Sequence, residues 1–424
     1  MHFAKAYLDK VSLDPQIDGQ LPSPDLRLVI AIPASDEPDI MKTLHALREC
    51  FTPEGDVELI LVLNSAESAP DEVIVQNLVT EKEIHGFIND YTDQKFRVLC
   101  TNRPGIRDKE AGAGFARKMA MDHALSRFNK LDRPDGIIIS MDADTLCDPN
   151  YLFEVEKHFR SNPLSKACSV YFEHPLGGSD FPDRVYLGIT EYELHMRYYI
   201  EALRFAGHPH AYHTVGSAFC VRAGIYASQG GMNKRPAGED FYFLQKVIPL
   251  GNYHELNSSC IIPSPRPSRR VAFGTGPVVS KFLSGQIESL ESYDPNAFHD
   301  LREFFSGIHL LYSGSMSEIK ALYDSWPESI RIDLEKEFFS RLVEIRGNSA
   351  REETFYKRFF RWFNMFRTLK YLNFIHQEYY SRIPVKEAVD QFLKNQGKGT
   401  KTGSDAKDLL IYFRKIQQVS RWPD

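Results

Sequence analysis

The chain has 424 residues, 42% of them apolar and 25% charged, a balance that fills a sizeable core and excludes a largely disordered or fibrous protein. That length exceeds what one hydrophobic core organises, so two domains are expected. A formal charge of −6 supplies no basic field for counterion release on a polyanion, which argues against nucleic acid as a partner.

The opening residues lack the long apolar stretch and small-residue cleavage site of a secretory signal. Nowhere do about 18 apolar residues run uninterrupted, as a membrane-spanning helix needs. Cys50, Cys100, Cys147, Cys168, Cys220 and Cys260 stand singly, without the spacing of a zinc site or a disulfide scaffold. The expected setting is the reducing cytoplasm, for a soluble or at most membrane-peripheral protein.

Residues 27–33 form a short continuous apolar run ending at Pro33, and residues 57–63 repeat it after a helical stretch near 40–51. This predicts strand, helix, strand. Residues 96–100 and 136–141 read as further buried strands around a helix over 112–128. Strands without alternation, interleaved with helices, predict an α/β fold with a mostly parallel central sheet. Ligands in such sheets bind beyond the carboxyl ends of the strands, which puts residues 34–37, 64–67 and 142–144 around one crevice. The stretch 168–276, with helices over 191–205 and 240–247, reads as the rest of this domain. Beyond about residue 292, after a turn signal at Tyr293-Asp-Pro-Asn296, helical periodicity dominates. The expected domains are 1–285, catalytic, and 286–424, a helical C-terminal region interrupted by the flexible polar stretch 397–404.

Two carboxylates one residue apart at the end of a buried strand project into a cleft and suit a hard cation, Mg2+ or Mn2+, that bridges to phosphate oxygens. Asp142 and Asp144 stand in that position. Glu239 and Asp240 open a helical stretch, where the helix dipole stabilises ionised carboxylates. Gly112-x-Gly114 is not a dinucleotide fingerprint, because its sixth position is Arg117 and no buried strand precedes it.

Taken in order, these segments resemble the inverting family 2 glycosyltransferases over roughly residues 27–275. Ile32-Pro-Ala-Ser-Asp-Glu37 is similar to that family's first strand and loop. Gly112-Ala-Gly-Phe-Ala-Arg117, followed by a helix, a strand and Asp142-Ala-Asp144, is similar to its central stretch, and Gly238-Glu-Asp240 to its later acidic pair. The resemblance implies a GT-A nucleotide-sugar-binding fold, a divalent metal, and a nucleoside diphosphate sugar donor, UDP favoured, whose hexose passes to a saccharide, lipid or small-molecule hydroxyl.

It further implies donor contacts at Pro33, Ser35, Glu37 and Asn64, with Glu37 on the ribose. Asn64 stands where the family often has aspartate, and its amide both accepts from and donates to a base edge. By the same resemblance Asp144 is the expected direct metal ligand, with Asp142 expected to be shared between metal and ribose. The resemblance implies Asp240 as the base that takes the acceptor proton, with Glu239 expected to orient its neighbours. Arg107 and Arg117 lie within reach of nucleotide or phosphates. Arg266, Arg269 and Arg270 stand where a third metal ligand is often found in related enzymes and imply charge neutralisation instead. His213 and Gly216 border the donor sugar, Gly216 by close backbone approach.

In the C-terminal region Phe355, Phe359, Trp362, Phe363 and Phe366 share one face of a basic helix over 355–375. That face either packs internally or rests on an anionic membrane. Gln418, Arg421 and Trp422 match a motif of processive synthases but sit far from the acidic pair, so single-sugar, nonprocessive transfer is expected. The rivals are a sugar nucleotidyltransferase, which normally needs a basic glycine-rich loop where residues 34–38 are acidic, and a noncatalytic sugar-nucleotide-binding or scaffold protein.

Overall fold

The computed structural model describes every residue except 1, 92, 94, 236–237, 269–273, 400–402, 421 and 423–424. The chain forms two compact units. The first holds residues 1–175, 214–277 and 418–422.

Its eight strands are β1 (Leu26–Ala34), β2 (Asp56–Ala66), β3 (Phe96–Ile106), β4 (Ile137–Ser140), β5 (Thr145–Cys147), β6 (Ala167–Phe172), β7 (Phe219–Arg222) and β8 (Tyr253–Pro263). They lie in the order β3-β2-β1-β4-β7-β6-β8-β5. The half from β3 to β4 is parallel. Beyond it, β7 runs antiparallel to both β4 and β6, and β5 antiparallel to β8, while β6 and β8 are parallel. The expected α/β class and mostly parallel sheet are therefore observed, with the antiparallel pairings confined to the second half.

β1 is buried at every position but Arg27, because helix Ala113–Lys130 covers β1 and β2 on one face. Burial on both faces is why the sequence runs apolar without alternation. The register Ala31↔Ser140 and Pro33↔Val62 brings the ends of β1, β2 and β4 to one edge, where the loops after Ala34, Ala66 and Ser140 emerge.

The second unit holds residues 176–213 and 278–417. Its centre is helix Asp183–Ala206, whose Tyr198 meets Phe298 and Phe392 at ring distances of 5.7 and 5.4 Å. Those partners lie on helices Pro295–Ser306 and Val385–Asn395. This corrects the assignment of 168–276 to one domain: the Asp183 helix buries its apolar face against C-terminal helices, so it belongs with them. A buried charge cluster ties helix Asp183–Ala206 to a further helix, Ala406–Val419, since Glu193 accepts from Arg197 Nε and Arg414 Nε, both at 2.8 Å.

The single helix expected over 355–375 is two, Glu352–Trp362 and Met365–Glu378, with Asn364 capping the second through the Arg367 N–H. Phe355, Phe359, Phe360 and Phe363 are at most 1% exposed. Phe359, Phe360 and Phe363 pack on Phe304 and Phe305, and Phe355 on Tyr312 and Phe359. The buried rings favour the internal-packing alternative for that face, on which Trp362 and Phe366 are partly buried. Among the described residues no helix is long and apolar enough to cross a membrane.

Candidate functional site

The site is built in the first unit around one buried arginine. Helix Ala113–Lys130 starts where Gly112, at φ 124°, donates its N–H to the Asn64 side-chain oxygen at 2.9 Å. Gly114 follows because a Cβ there would lie 1.9 Å from the Arg235 carbonyl oxygen. The glycine pair thus serves close backbone packing. One turn on, Arg117 is fully enclosed and 3% exposed.

Its guanidinium donates to Asp142 Oδ1 at 2.7 Å, Glu239 Oε1 at 3.0 Å, Ser140 Oγ at 2.8 Å and the Gly216 carbonyl at 3.0 Å. Ser140 Oγ also donates to that carbonyl at 2.7 Å. A buried arginine is sustained only when its fork is paired in this way. Asp142 and Glu239 hold its proton above the usual arginine range, although burial alone would lower it. Arg117, expected to contact the nucleotide, places four of its five N–H donors inside the protein and ties the Asp142 loop to the acidic pair.

Glu239 and Asp240 begin helix Glu239–Val247 after Gly238, which is left-handed at φ 71°. Glu239 is buried on Arg117, whereas Asp240 is half-buried. Asp240 Oδ1 accepts from the Phe241 N–H at 2.7 Å. Burial first, then the Glu239 carboxylate, push the Asp240 carboxyl up to about 7, against a smaller lowering by Arg117. Gly216 leaves room for both, since a Cβ there would stand 2.9 Å from Arg117 Nη2 and 3.0 Å from Asp240 Oδ2.

Asp142 is 40% exposed at its side chain and Asp144 24%. The loop carrying them is fastened from behind by Thr43 Oγ1, which donates to the Ala143 carbonyl at 2.8 Å. Arg266, just past β8, donates to Glu37 Oε1 at 2.6 Å and stands 3.7 Å from Asp144 Oδ2. Arg266 therefore links the loop after β1 to the Asp144 loop.

The other expected residues are placed as follows. Pro33 is buried inside β1, and Ser35 is partly exposed just beyond its end. Asn64 is 1% exposed; its amide donates to the Ala34 carbonyl at 3.2 Å and accepts from Gly112, so it ties the end of β1 to the start of helix Ala113–Lys130. Glu37, expected on the ribose, is 4% exposed and paired with Arg266. Arg107 is exposed and paired with Glu110, not turned to Asp142. His213 belongs to the second unit, where Nε2 meets Gln417 Oε1 at 3.0 Å and burial lowers its proton affinity to about 3; it is a neutral structural histidine. Arg269, Arg270 and Arg421 lie outside the described residues.

Ser140 and Thr43 escaped the sequence reading. A lone serine after three isoleucines in a fully buried strand was the available signal, because a buried hydroxyl needs a partner.

Among the described residues no group of three or more His, Cys, Asp or Glu converges on a point that could hold a metal. What the site offers is Asp144 and the exposed side of Asp142. Such a pair fits Mg2+ or Mn2+ only with phosphate oxygens and water completing the shell, the usual pattern for an ion bound together with a nucleotide.

No family model matches the chain, and no curated protein matches it. Among solved structures it is similar to S. aureus TarS 1–349 in complex with UDP-GlcNAc, at 13% identity over 78% of this chain and 90% of that one, with a TM-score of 0.40. It is also similar to the mannosyltransferase PcManGT from Pyrobaculum calidifontis in complex with GDP-Man and Mn2+, at 15% identity over 84% of this chain and 91% of that one, with a TM-score of 0.36.

Proposed function

We propose that the chain is a glycosyltransferase that moves a sugar from a nucleoside diphosphate sugar to a hydroxyl acceptor, with inversion and without processive elongation. One observation carries this reading: a carboxyl whose proton affinity is raised to about 7, Asp240, and a solvent-facing carboxylate, Asp142, are both set against the same buried arginine. A general base works best when its pKa lies near the working pH. A solvent-facing carboxylate pair at a strand end is suited to a metal-bound diphosphate.

Asp240 accepts the acceptor's hydroxyl proton as that oxygen attacks the anomeric carbon from the face opposite the diphosphate. Asp142 and Asp144 would hold Mg2+ or Mn2+, which when bound would supply neutralisation of the charge that develops on the leaving diphosphate. Arg266 adds positive charge beside Asp144. Glu239, locked on Arg117, keeps Asp240 protonatable by repulsion. Direct attack needs no covalent enzyme intermediate.

The test is a panel of UDP-, GDP-, CMP- and dTDP-sugars with Mn2+ and a set of hydroxyl acceptors, read by nucleotide release and product mass. Release and transfer that vanish in folded Asp240→Asn and Asp144→Asn support the reading. Binding without turnover across the panel identifies a noncatalytic sugar-nucleotide binder instead, and no binding at all refutes the donor site.

A further inference from the structure

Behind the Asp142–Asp144 loop lies a pair of thiols that the transfer chemistry does not use. Cys147 ends β5, three residues after Asp144. Cys50 follows helix Ile40–Arg48, which begins three residues after Glu37. Their sulfurs stand 3.6 Å apart although 97 positions separate them in sequence. Around them the same two segments are already joined, by Thr43 Oγ1 to the Ala143 carbonyl at 2.8 Å and by the Phe51 N–H to the Pro149 carbonyl at 2.6 Å. A disulfide needs about 2.05 Å between sulfurs, a closing movement of roughly 1.5 Å.

The two thiols are unequal. A hydrogen bond from Cys147 holds the Cys50 thiol below its ordinary range, while that of Cys147 is pushed up by its neighbour and by burial. One sulfur is thus the better nucleophile and the other keeps its proton, the division that a resolving pair uses. Cys147 is partly exposed and Cys50, at 9% exposure, lies directly behind it, so a small oxidant reaches the Cys50 sulfur from the Cys147 side.

We propose that Cys50 and Cys147 form an oxidisable dithiol that hydrogen peroxide closes to a disulfide, clamping the Asp142–Asp144 loop to the helix behind it and weakening donor binding. The Cys50 thiolate attacks the peroxide oxygen, giving a sulfenic acid and, with one proton, water. The Cys147 thiol then attacks that sulfur; the S–S bond forms, the S–O bond breaks, and the hydroxyl leaves with the thiol proton as a second water. Two thiols lose two electrons and the peroxide gains them.

The weakening follows from position. Asp144 is three residues from the sulfur that moves, and binding groups displaced by about an ångström lose much of their effect. Cys168 and Cys220, which face each other across β6 and β7 and are fully buried, serve as an internal control that a peroxide does not reach.

The assignment of Asp142 and Asp144 to the donor rests on the proposed transfer, so two readouts are kept apart. The full chain is treated with hydrogen peroxide, alkylated, digested without reduction and mapped by mass spectrometry. The expected product joins Cys50 to Cys147, disappears in Cys50→Ser and Cys147→Ser, and reverts with dithiothreitol. A map lacking that peptide, or one joining Cys147 to Cys260, overturns the dithiol. UDP binding with Mn2+ is measured calorimetrically on both forms, with an expected loss of at least three-fold on oxidation that Cys50→Ser abolishes. Equal affinities of the two forms overturn the clamp, whereas reduced protein that ignores UDP refutes the donor reading and leaves the peptide map to decide the disulfide.

Discussion

Replacing Asp240 by Asn tests the electrostatics of the site without any knowledge of substrate. Three carboxylates, Asp142, Glu239 and Asp240, act on the single Arg117, so ionising Asp240 raises the excess negative charge from one to two. Asparagine removes that charge while its side-chain oxygen can still accept from the Phe241 N–H. The native carboxyl is raised from 3.8 to about 7, which at 1.36 kcal/mol per pH unit is roughly 4 kcal/mol across the full window.

The sign is opposite to that of an ordinary ion-paired aspartate. Between pH 3.8 and about 7 the native state keeps a proton that the unfolded chain has released, so native stability falls as pH rises through this window. Integrated from pH 5 to pH 8, wild type is expected to lose roughly 2–3 kcal/mol relative to Asp240→Asn. Urea unfolding of the two proteins at pH 5, 6, 7 and 8 measures it. A stability difference that stays flat over that range refutes the assignment of Asp240 as a proton-holding group.

Transfer by wild type is expected to rise with pH through about 7 as Asp240 ionises, and Asp240→Asn to lose about 10²–10⁴ in turnover, read from a pH–rate profile. Gly216→Ala places a methyl within 3.0 Å of both Arg117 and Asp240; turnover falls ten-fold or more while urea unfolding shows a cost of about 1–3 kcal/mol. Arg117→Met leaves buried Glu239 without its cation and destabilises by about 3–5 kcal/mol in denaturant titration, whereas an exposed Arg107→Ala stays within about 0.5 kcal/mol of wild type. His213→Gln leaves the pH dependence of transfer unchanged, because the native histidine is already neutral.

Much of this protein was legible in its sequence. Unbroken apolar runs such as residues 28–34 announce strands buried on both faces, and the loops beyond strand ends then point to the site. That is why Asp142 and Asp144 could be singled out, whereas Glu239 and Asp240 drew notice by opening a helix and by resemblance to a known acidic pair.

What local pattern could not reveal is which polar groups neutralise one another. Arg117, Arg107, Arg266 and Glu37 look alike in sequence as charged residues near loops. Only the tertiary structure buries Arg117 on Asp142 and Glu239, leaves Arg107 in solvent and pairs Arg266 with Glu37. The membership of helix Asp183–Ala206 in the second unit was hidden for the same reason, since its periodicity shows that a face is buried but not against which partner. Periodicity is local and survives in the sequence; desolvation and charge pairing are sums over neighbours distant in the chain, and folding alone decides them.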